Sequence, residues 1–318
     1  MSWQNLIQQQ ADLAKTIFPV AKKPTLIPLP DQHIITVSGD EAAAFLQNLL
    51  TNDVTALNIN HAQLTGLCNP KGRLLAIFQL VRREQDFLIV LPAELSAAIA
   101  QRLTMFKLRS KVDITVADSL VAVGMINPDK QLTNLPTAPL QGSQTESGLL
   151  IKQIDAHRGY LMLCEQNATS VLTDWLLNDW QLAPQAHWQL LNIEAGIPVI
   201  YNDSKEQFTP QQVNLELVGG VSFKKGCYPG QEVVARLHYL GSPSRRMFLA
   251  ELGDSPIPAA NTAVTDDQGA VTGHVVQAQV DADNRIRCQL SMKLSALETT
   301  LNIEGNNITK LTALANDI

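Results

Sequence analysis

The pattern of apolar and polar positions first reads as a strand at residues 33–37 (HIITV), a short run rich in β-branched residues. The following SGDEAAAFLQNLL switches to helical spacing. There Phe45, Leu46, Leu49 and Leu50 share one stripe, and Ser38 or Asp40 can accept the first free N–H groups. QLTGLCNPKGRLLAIFQLVRR reads as two strands around the turn Asn69-Pro70-Lys71-Gly72. DFLIVLP is a third strand, and AELSAAIAQRLTMFKL a helix ending before a strand at 112–116. A strand at 121–126 precedes a Pro/Thr/Gln/Ser-rich stretch, 127–147, which reads as an extended loop. LLIKQI and GYLMLCE form a strand pair, followed by a helix over 171–180. A further helix, HWQLLNIEAG, stops at Gly196 ahead of Pro198. At the start of the chain Trp3, Leu6, Ile7, Leu13, Ile17 and Phe18 lie near helical spacing, as in a short docking helix.

Strands in pairs between single helices indicate α+β layers and not a doubly wound parallel sheet. After Arg246 the texture changes. MFLAEL, TAVTD, AVTGHVVQAQV, RIRCQLSMKL and LNIEGNNITKL alternate between Asp-, Asn- and Gly-rich turns, which predicts a small antiparallel barrel. The organisation expected is two interleaved α+β domains in 1–242 and a β-barrel in 243–318. No internal repeat or low-complexity run is evident.

Composition narrows the classes. At 318 residues, with 17% charged and 45% apolar residues, the chain is an ordinary globular protein of more than one domain. No run approaches the ~20 apolar residues a membrane span needs. The N-terminus has neither the basic start of a signal peptide nor the arginines of a transit peptide. Four scattered cysteines, Cys68, Cys164, Cys227 and Cys288, form no C-x-x-C pair, so neither a disulfide framework nor a local zinc or iron–sulfur ligand set is expected. A reduced, cytoplasmic protein fits. The net charge of −6 argues against a coat of nucleic acid. Residues 222–246 depart from it, with Lys224, Lys225, Arg236, Arg245 and Arg246 against the single acid Glu232. Such a segment suits an anionic ligand or a local RNA or protein contact, or is simply a solvated loop.

Three constellations carry chemistry. In KKGCYPGQE, Gly226 and Gly230 permit close approach or positive φ and Pro229 stiffens the turn, so Cys227 sits on a defined loop. Lys224, Lys225 and Arg236 can favour its thiolate, and Tyr228 can pack beside it. His238, eleven residues on, is a candidate base or a packing histidine, and no orienting Asn or Asp is identifiable for a Cys-His hydrolase. In Trp188-Gln-Leu-Leu-Asn-Ile-Glu194, an aromatic plane and a carboxylate suit a flat heterocycle with an N–H edge, while a buried Trp and a surface Glu form the plain alternative. The turn with Lys71 and Arg73 offers two cations to an anion, or is a hairpin tip; it is no Walker loop.

Taken in order, FLQNLLTNDV (45–54), NPKGR (69–73), NIEAGIP (192–198), FTPQQVNLE (208–216) and above all KKGCYPGQEVVAR (224–236) resemble the YgfZ family of folate-binding proteins. These are relatives of the glycine-cleavage aminomethyltransferase (T-protein). The resemblance spans about residues 31–246 and implies a three-domain cloverleaf of aminomethyltransferase type. It further implies a tetrahydrofolate or derivative as ligand, and a role supporting iron–sulfur proteins such as radical enzymes that thiomethylate tRNA, with a weak tRNA contact and no membrane. By position Glu194 matches the carboxylate directed at the pterin and Trp188 an aromatic residue implicated in folate binding. Cys227 matches the signature cysteine, with Tyr228 beside it. Lys71, Arg73 and Arg236 supply cations for the folate's glutamate tail. No metal site is implied.

The aminomethyltransferases carry an Asp pair after the K-G-R-like turn and an Asp in the place of Cys227. Here Ala76 and Ile77 align with that pair, Gln79 is the nearest polar residue, and the tryptophan of some relatives is missing from PDQHIITVSG. The expectation is an accessory folate-binding protein more than an aminomethyltransferase. A folate-dependent one-carbon transferase is the alternative, and a scaffold with an inert Cys227 the third reading.

Overall fold

A computed structural model describes residues 2–13, 23–128, 132 and 135–314. Ile17 and Phe18 of the N-terminal pattern, and positions 129–131, 133 and 134 of the expected loop, lie outside the described residues. The chain divides into two compact units, Met1–Ala42, Ala56–Gln63 and Gln79–Leu191 in the first, Ala43–Thr55, Leu64–Phe78 and Asn192–Ile318 in the second.

In chain order the elements run α1 (Trp3–Leu13), β1 (Thr25–Pro28), β2 (Gln32–Ser38), α2 (Ala42–Gln47), β3 (His61–Cys68), β4 (Leu74–Arg82) and β5 (Asp86–Pro92). They continue with α3 (Ala93–Lys107), β6 (Asp113–Val116), β7 (Leu120–Ile126), β8 (Gly142–Thr145), β9 (Gly148–Lys152), β10 (Gly159–Glu165), α4 (Thr169–Leu177), β11 (Gln181–Leu182) and α5 (Ala186–Glu194). Last come α6 (Gln231–Tyr239), β12 (Arg245–Leu252), β13 (Ala263–Asp266), β14 (Val271–Val280), β15 (Ile286–Lys293), β16 (Leu301–Ile303) and β17 (Asn306–Ala313).

The α+β reading holds. One mixed sheet has the strand order β11-β1-β7-β10-β9-β8, and a five-stranded sheet the order β3-β4-β5-β2-β6. β2 and β5 pair antiparallel, with Ile35 opposite Ile89 and Val37 opposite Phe87. Within the first unit Ile27, Leu29, Ile34, Leu88, Ile126, Leu161 and Trp188 share one apolar core. The docking helix is present as α1, which buries Trp3, Leu6 and Gln10. The Gln10 amide donates to the Pro28 and Ala183 carbonyls at 2.8 and 2.9 Å, so the buried polar group is satisfied.

In the second unit the six strands after Arg245 close into an antiparallel barrel of order β12-β15-β14-β13-β16-β17. Phe248, Val264, Val275, Cys288, Leu290 and Met292 fill it. Closure removes the exposed edges that so short a sheet would otherwise present.

Four sequence expectations need correction. The helix after β2 is a short piece, Ala42–Gln47, though Phe45, Leu46, Leu49 and Leu50 are all buried as expected; Leu50 leaves the helix and bridges Leu67. The helix expected over 171–180 ends at Leu177, and Trp180 folds back to stack on Trp175 at 5.2 Å. The polar stretch 127–147 includes strand β8, an edge strand whose register with β9 comes from backbone bonding and not from apolar alternation. Finally, QEVVARLHY forms helix α6, which the sequence reading did not include.

Candidate functional site

Two motifs far apart in sequence meet at a pair of glycines. The β3–β4 turn is folded by Asn69, whose Oδ1 accepts the N–H groups of Lys71 and Arg73 at 2.9 and 3.0 Å. Gly72 in this turn has φ 70°. Gly230, at φ 81°, opens α6, and a Cβ there would stand 2.5 Å from the Asn69 carbonyl oxygen and 2.6 Å from the Gly72 Cα. Only glycine satisfies both the left-handed backbone and that contact. The turn bearing Lys71 and Arg73 is thereby brought against the loop that carries Cys227.

On that loop Cys227 is exposed and not in a disulfide, Tyr228 is buried, and Lys224 and Arg236 face solvent. Lys225 corrects one expectation. Its ammonium does not join a cationic surround of the thiol but is buried against the end of α2, donating to the carbonyls of Gln47, Leu50 and Asn52 at 2.5, 2.5 and 3.1 Å. It also lies 5.3 Å from the centre of the Tyr228 ring. Burial lowers its pKa to about 8, against a smaller opposing pull from Asp53. Burial, with the nearby Cys68 thiol, pushes the Tyr228 phenol up. Arg73 is engaged as well, its guanidinium donating to the Gln207 carbonyl and the Gln212 side chain. Lys71 is exposed. His238 takes the packing role, stacked on Phe223 with ring centres 3.6 Å apart and edge-on to Tyr239.

The supporting motifs build the frame of this loop. Gln211 donates to the Val234 carbonyl of α6 at 2.7 Å, and Asn214 exchanges two hydrogen bonds with the Met247 backbone at the start of the barrel. Thr51 accepts the Gly66 N–H and donates to the Gly220 carbonyl, both at 2.7 Å. Glu216 pairs with Arg246. These bonds favour one arrangement of the loop, because a slip would strand the buried donors and acceptors that make them.

Glu194 is the last residue of α5, partly exposed. The helix ends in a Schellman motif: Gly196 has φ 71°, its N–H reaches the Ile193 carbonyl at 3.1 Å, and the Ile197 N–H reaches the Asn192 carbonyl at 3.0 Å. The fully buried Gln289 of β15 adds its amide to the carbonyls of Asn192, Ile193 and Ile197, and Gln277 of β14 donates to Ile197 and to Gln289. The barrel thus holds the helix end on which the Glu194 carboxylate is mounted. Sequence reasoning missed Gln289. Its signal was a glutamine between the inward-facing Cys288 and Leu290, on the strand face that a solvated barrel would leave wet.

Trp188 lies in the first unit and is 7% exposed. Its benzo ring rests on Gly124, where a Cβ would stand 2.4 Å away, and the fully buried His157 meets it at 4.2 Å in an edge-on geometry. The aromatic plane is therefore mostly a core surface. Gln79, near the aligned positions Ala76 and Ile77 of β4, is buried and donates to the Gln153 side chain at 3.3 Å, while Ala76 and Ile77 are buried and apolar.

The other three thiols are buried. Burial raises Cys68 and Cys288 to about 12, and raises Cys164 to about 11 with help from Glu165. Among the described residues no group of three or more His, Cys, Asp or Glu side chains could hold a metal ion.

The fold defines a class. The solved structure of glycine cleavage system aminomethyltransferase T from Bartonella henselae matches with a TM-score of 0.72 over 93% of this chain and 86% of that one, at 18% identity. This is the aminomethyltransferase-type fold. No family model matches the chain. The tRNA-modifying protein YgfZ of Enterobacter sp. (strain 638) is 32% identical over 279 residues, covering 84% of this chain and 85% of that protein. That of Edwardsiella ictaluri (strain 93-146) is 31% identical over 301 residues, covering 91% and 90%. The chain belongs to the YgfZ family of tRNA-modifying proteins.

Proposed function

We propose that this protein binds tetrahydrofolate or a derivative and supports iron–sulfur enzymes of tRNA modification, with Cys227 as its working thiol. The observation that carries the reading is the contrast among the four cysteines: three are buried with raised pKa values, and Cys227 alone is exposed. It stands on a loop fixed by Lys225 and by the Gly72–Gly230 contact. The chemistry of the side chains suits a folate. Glu194 offers an acceptor to a pterin N–H edge, Lys71 and Arg236 offer exposed cations to a glutamate tail, and Arg73 and Tyr228 stiffen the turn and loop that bear them. Trp188 would contribute through the small edge left uncovered by Gly124 and His157.

A thiol presented in this way can ligate or react with a group brought by a partner, and the exposed Lys224 and Arg236 allow a weak tRNA contact. Four cysteines without a disulfide suit the cytoplasm. No helix among the described residues is long and apolar enough to cross a membrane. One-carbon transfer is disfavoured because Ala76 and Ile77 are apolar where a transferase would use carboxylates for charge and proton transfer.

Titration of the intact protein with tetrahydrofolate, followed by tryptophan fluorescence, tests the ligand. Saturable quenching is expected, weakened about tenfold in Glu194→Ala, the loss typical of one charge-assisted bond. No binding at millimolar ligand would defeat the folate reading.

A further inference from the structure

The C-terminal tip of α3 exposes what a globular fold usually hides. The helix buries Leu95, Ile99 and Leu103 along one stripe, while Met105, Phe106 and Leu108 are 71%, 41% and 88% exposed. The backbone compounds the oddity. The Lys107 carbonyl accepts the Ser110 N–H at 2.7 Å, and Leu108 between them has φ 44° and ψ −104°. These angles lie near the first central position of a type II′ turn, where glycine is preferred. A leucine there strains the chain and places its side chain in water, and no packing among the described residues offsets either. Strain of this kind clusters at functional positions.

The surrounding charge says what could cover this tip. Arg102, Lys107, Arg109 and Lys111 fall within residues 101–112, which hold no acid, on a chain of net charge −6. The nearby acids are engaged locally: Asp113 pairs with Lys107 at 3.2 Å, and Glu41 accepts the Lys111 backbone N–H at 2.7 Å. A nucleic acid suits the charges but not the apolar groups. Leucine and methionine offer no face for base stacking, and the guanidinium of Arg102 already lies over the Phe106 ring, 5.6 Å from its centre. Apolar anchors ringed by arginine are instead the composition of protein interfaces.

We propose that the tip of α3, from Met105 to Lys111, is a docking knob that seats in an apolar groove rimmed by Asp or Glu on a partner protein. Leu108 and Met105 are the anchors, and Arg109 and Lys111 the rim that selects an acidic partner. The proposal stands apart from the folate and Cys227 reading and does not depend on it.

The test places a photo-reactive benzoylphenylalanine at Met105 of the full-length protein in cells that make it, with the fragments of any adduct sequenced. The expected adduct is nuclease-resistant and links to an apolar segment flanked by Asp or Glu in a different protein. Leu108→Gly relieves the strained turn, so its melting temperature should hold or rise while the adduct yield falls about tenfold, as for loss of one buried anchor. Arg109→Glu should lower the yield similarly with the fold unchanged. The proposal is overturned by no adduct, by linkage to RNA, to lipid or to a second copy of this chain, or by a yield that neither variant lowers.

Discussion

Around Cys227 the backbone is fixed by polar groups: the Lys225 ammonium on three carbonyls, Gln211 on Val234, Asn214 on Met247, and Asn69 folding the turn that meets Gly230. At Trp188 the side chain is held by packing, the ring seated on Gly124 and against His157 within an apolar core. The first arrangement spends buried polar groups on the frame and leaves the thiol outside it. The second consumes the surface of the residue it positions. A side chain meant to meet a partner is better mounted in the first way, and a wall behind a ligand in the second.

Lys225→Met strikes the polar frame hardest. Three carbonyls lose a common donor, and stability is expected to fall by about 3 kcal/mol in urea unfolding, the order for several stranded buried acceptors. The same variant carries a pH signature. Burial sets the folded pKa of Lys225 at about 8, below its ordinary value of 10.5. Between those values the unfolded chain holds a proton that the folded chain has released. Wild-type stability therefore gains from this group as pH rises from about 8, and Lys225→Met should lack that gain. A variant as stable as the wild type, with the same pH profile, would mean that Lys225 does not anchor the loop.

Gly124→Ala disturbs the apolar side of the comparison with a smaller effect. The new methyl would stand 2.4 Å from the Trp188 ring, so the ring must shift. A loss of about 1–3 kcal/mol is expected, as for overpacking a core, with altered tryptophan emission. The rate at which Cys227 reacts with a thiol reagent should stay unchanged, whereas Lys225→Met should raise it. Equal effects of both variants on that rate would erase the distinction between the two regions.

Much of the fold was legible because its signals are local. Short apolar, β-branched runs placed β2 and β5, alternation placed the barrel strands, and Gly196 with Pro198 placed the end of α5. What escaped had weaker or ambiguous local signals. Helix α6 has Val233, Val234 and Leu237 at helical spacing but buries only Val234, and Gly230 at its start packs against Gly72. Strand β8 is polar and owes its register to a neighbour. At the site, glycines and proline marked the Cys227 loop as a built turn, but tandem lysines in sequence do not say which one goes inside. Lys225 is spent on carbonyls that precede it by more than 170 residues, and Gln289 acts on a helix end nearly 100 residues away. Such long-range polar partners are visible only in the folded chain.

The central claim, that Cys227 works and does not merely close a turn, is tested most directly by Cys227→Ser in a bacterial strain lacking its own YgfZ relative, reading thiomethylated nucleosides in bulk tRNA. The variant should melt within about 2 °C of the wild type, since an exposed side chain contributes little to stability. Thiomethylation should fall to the level of the deletion strain. Normal thiomethylation by the serine variant would contradict it and leave the loop a scaffold.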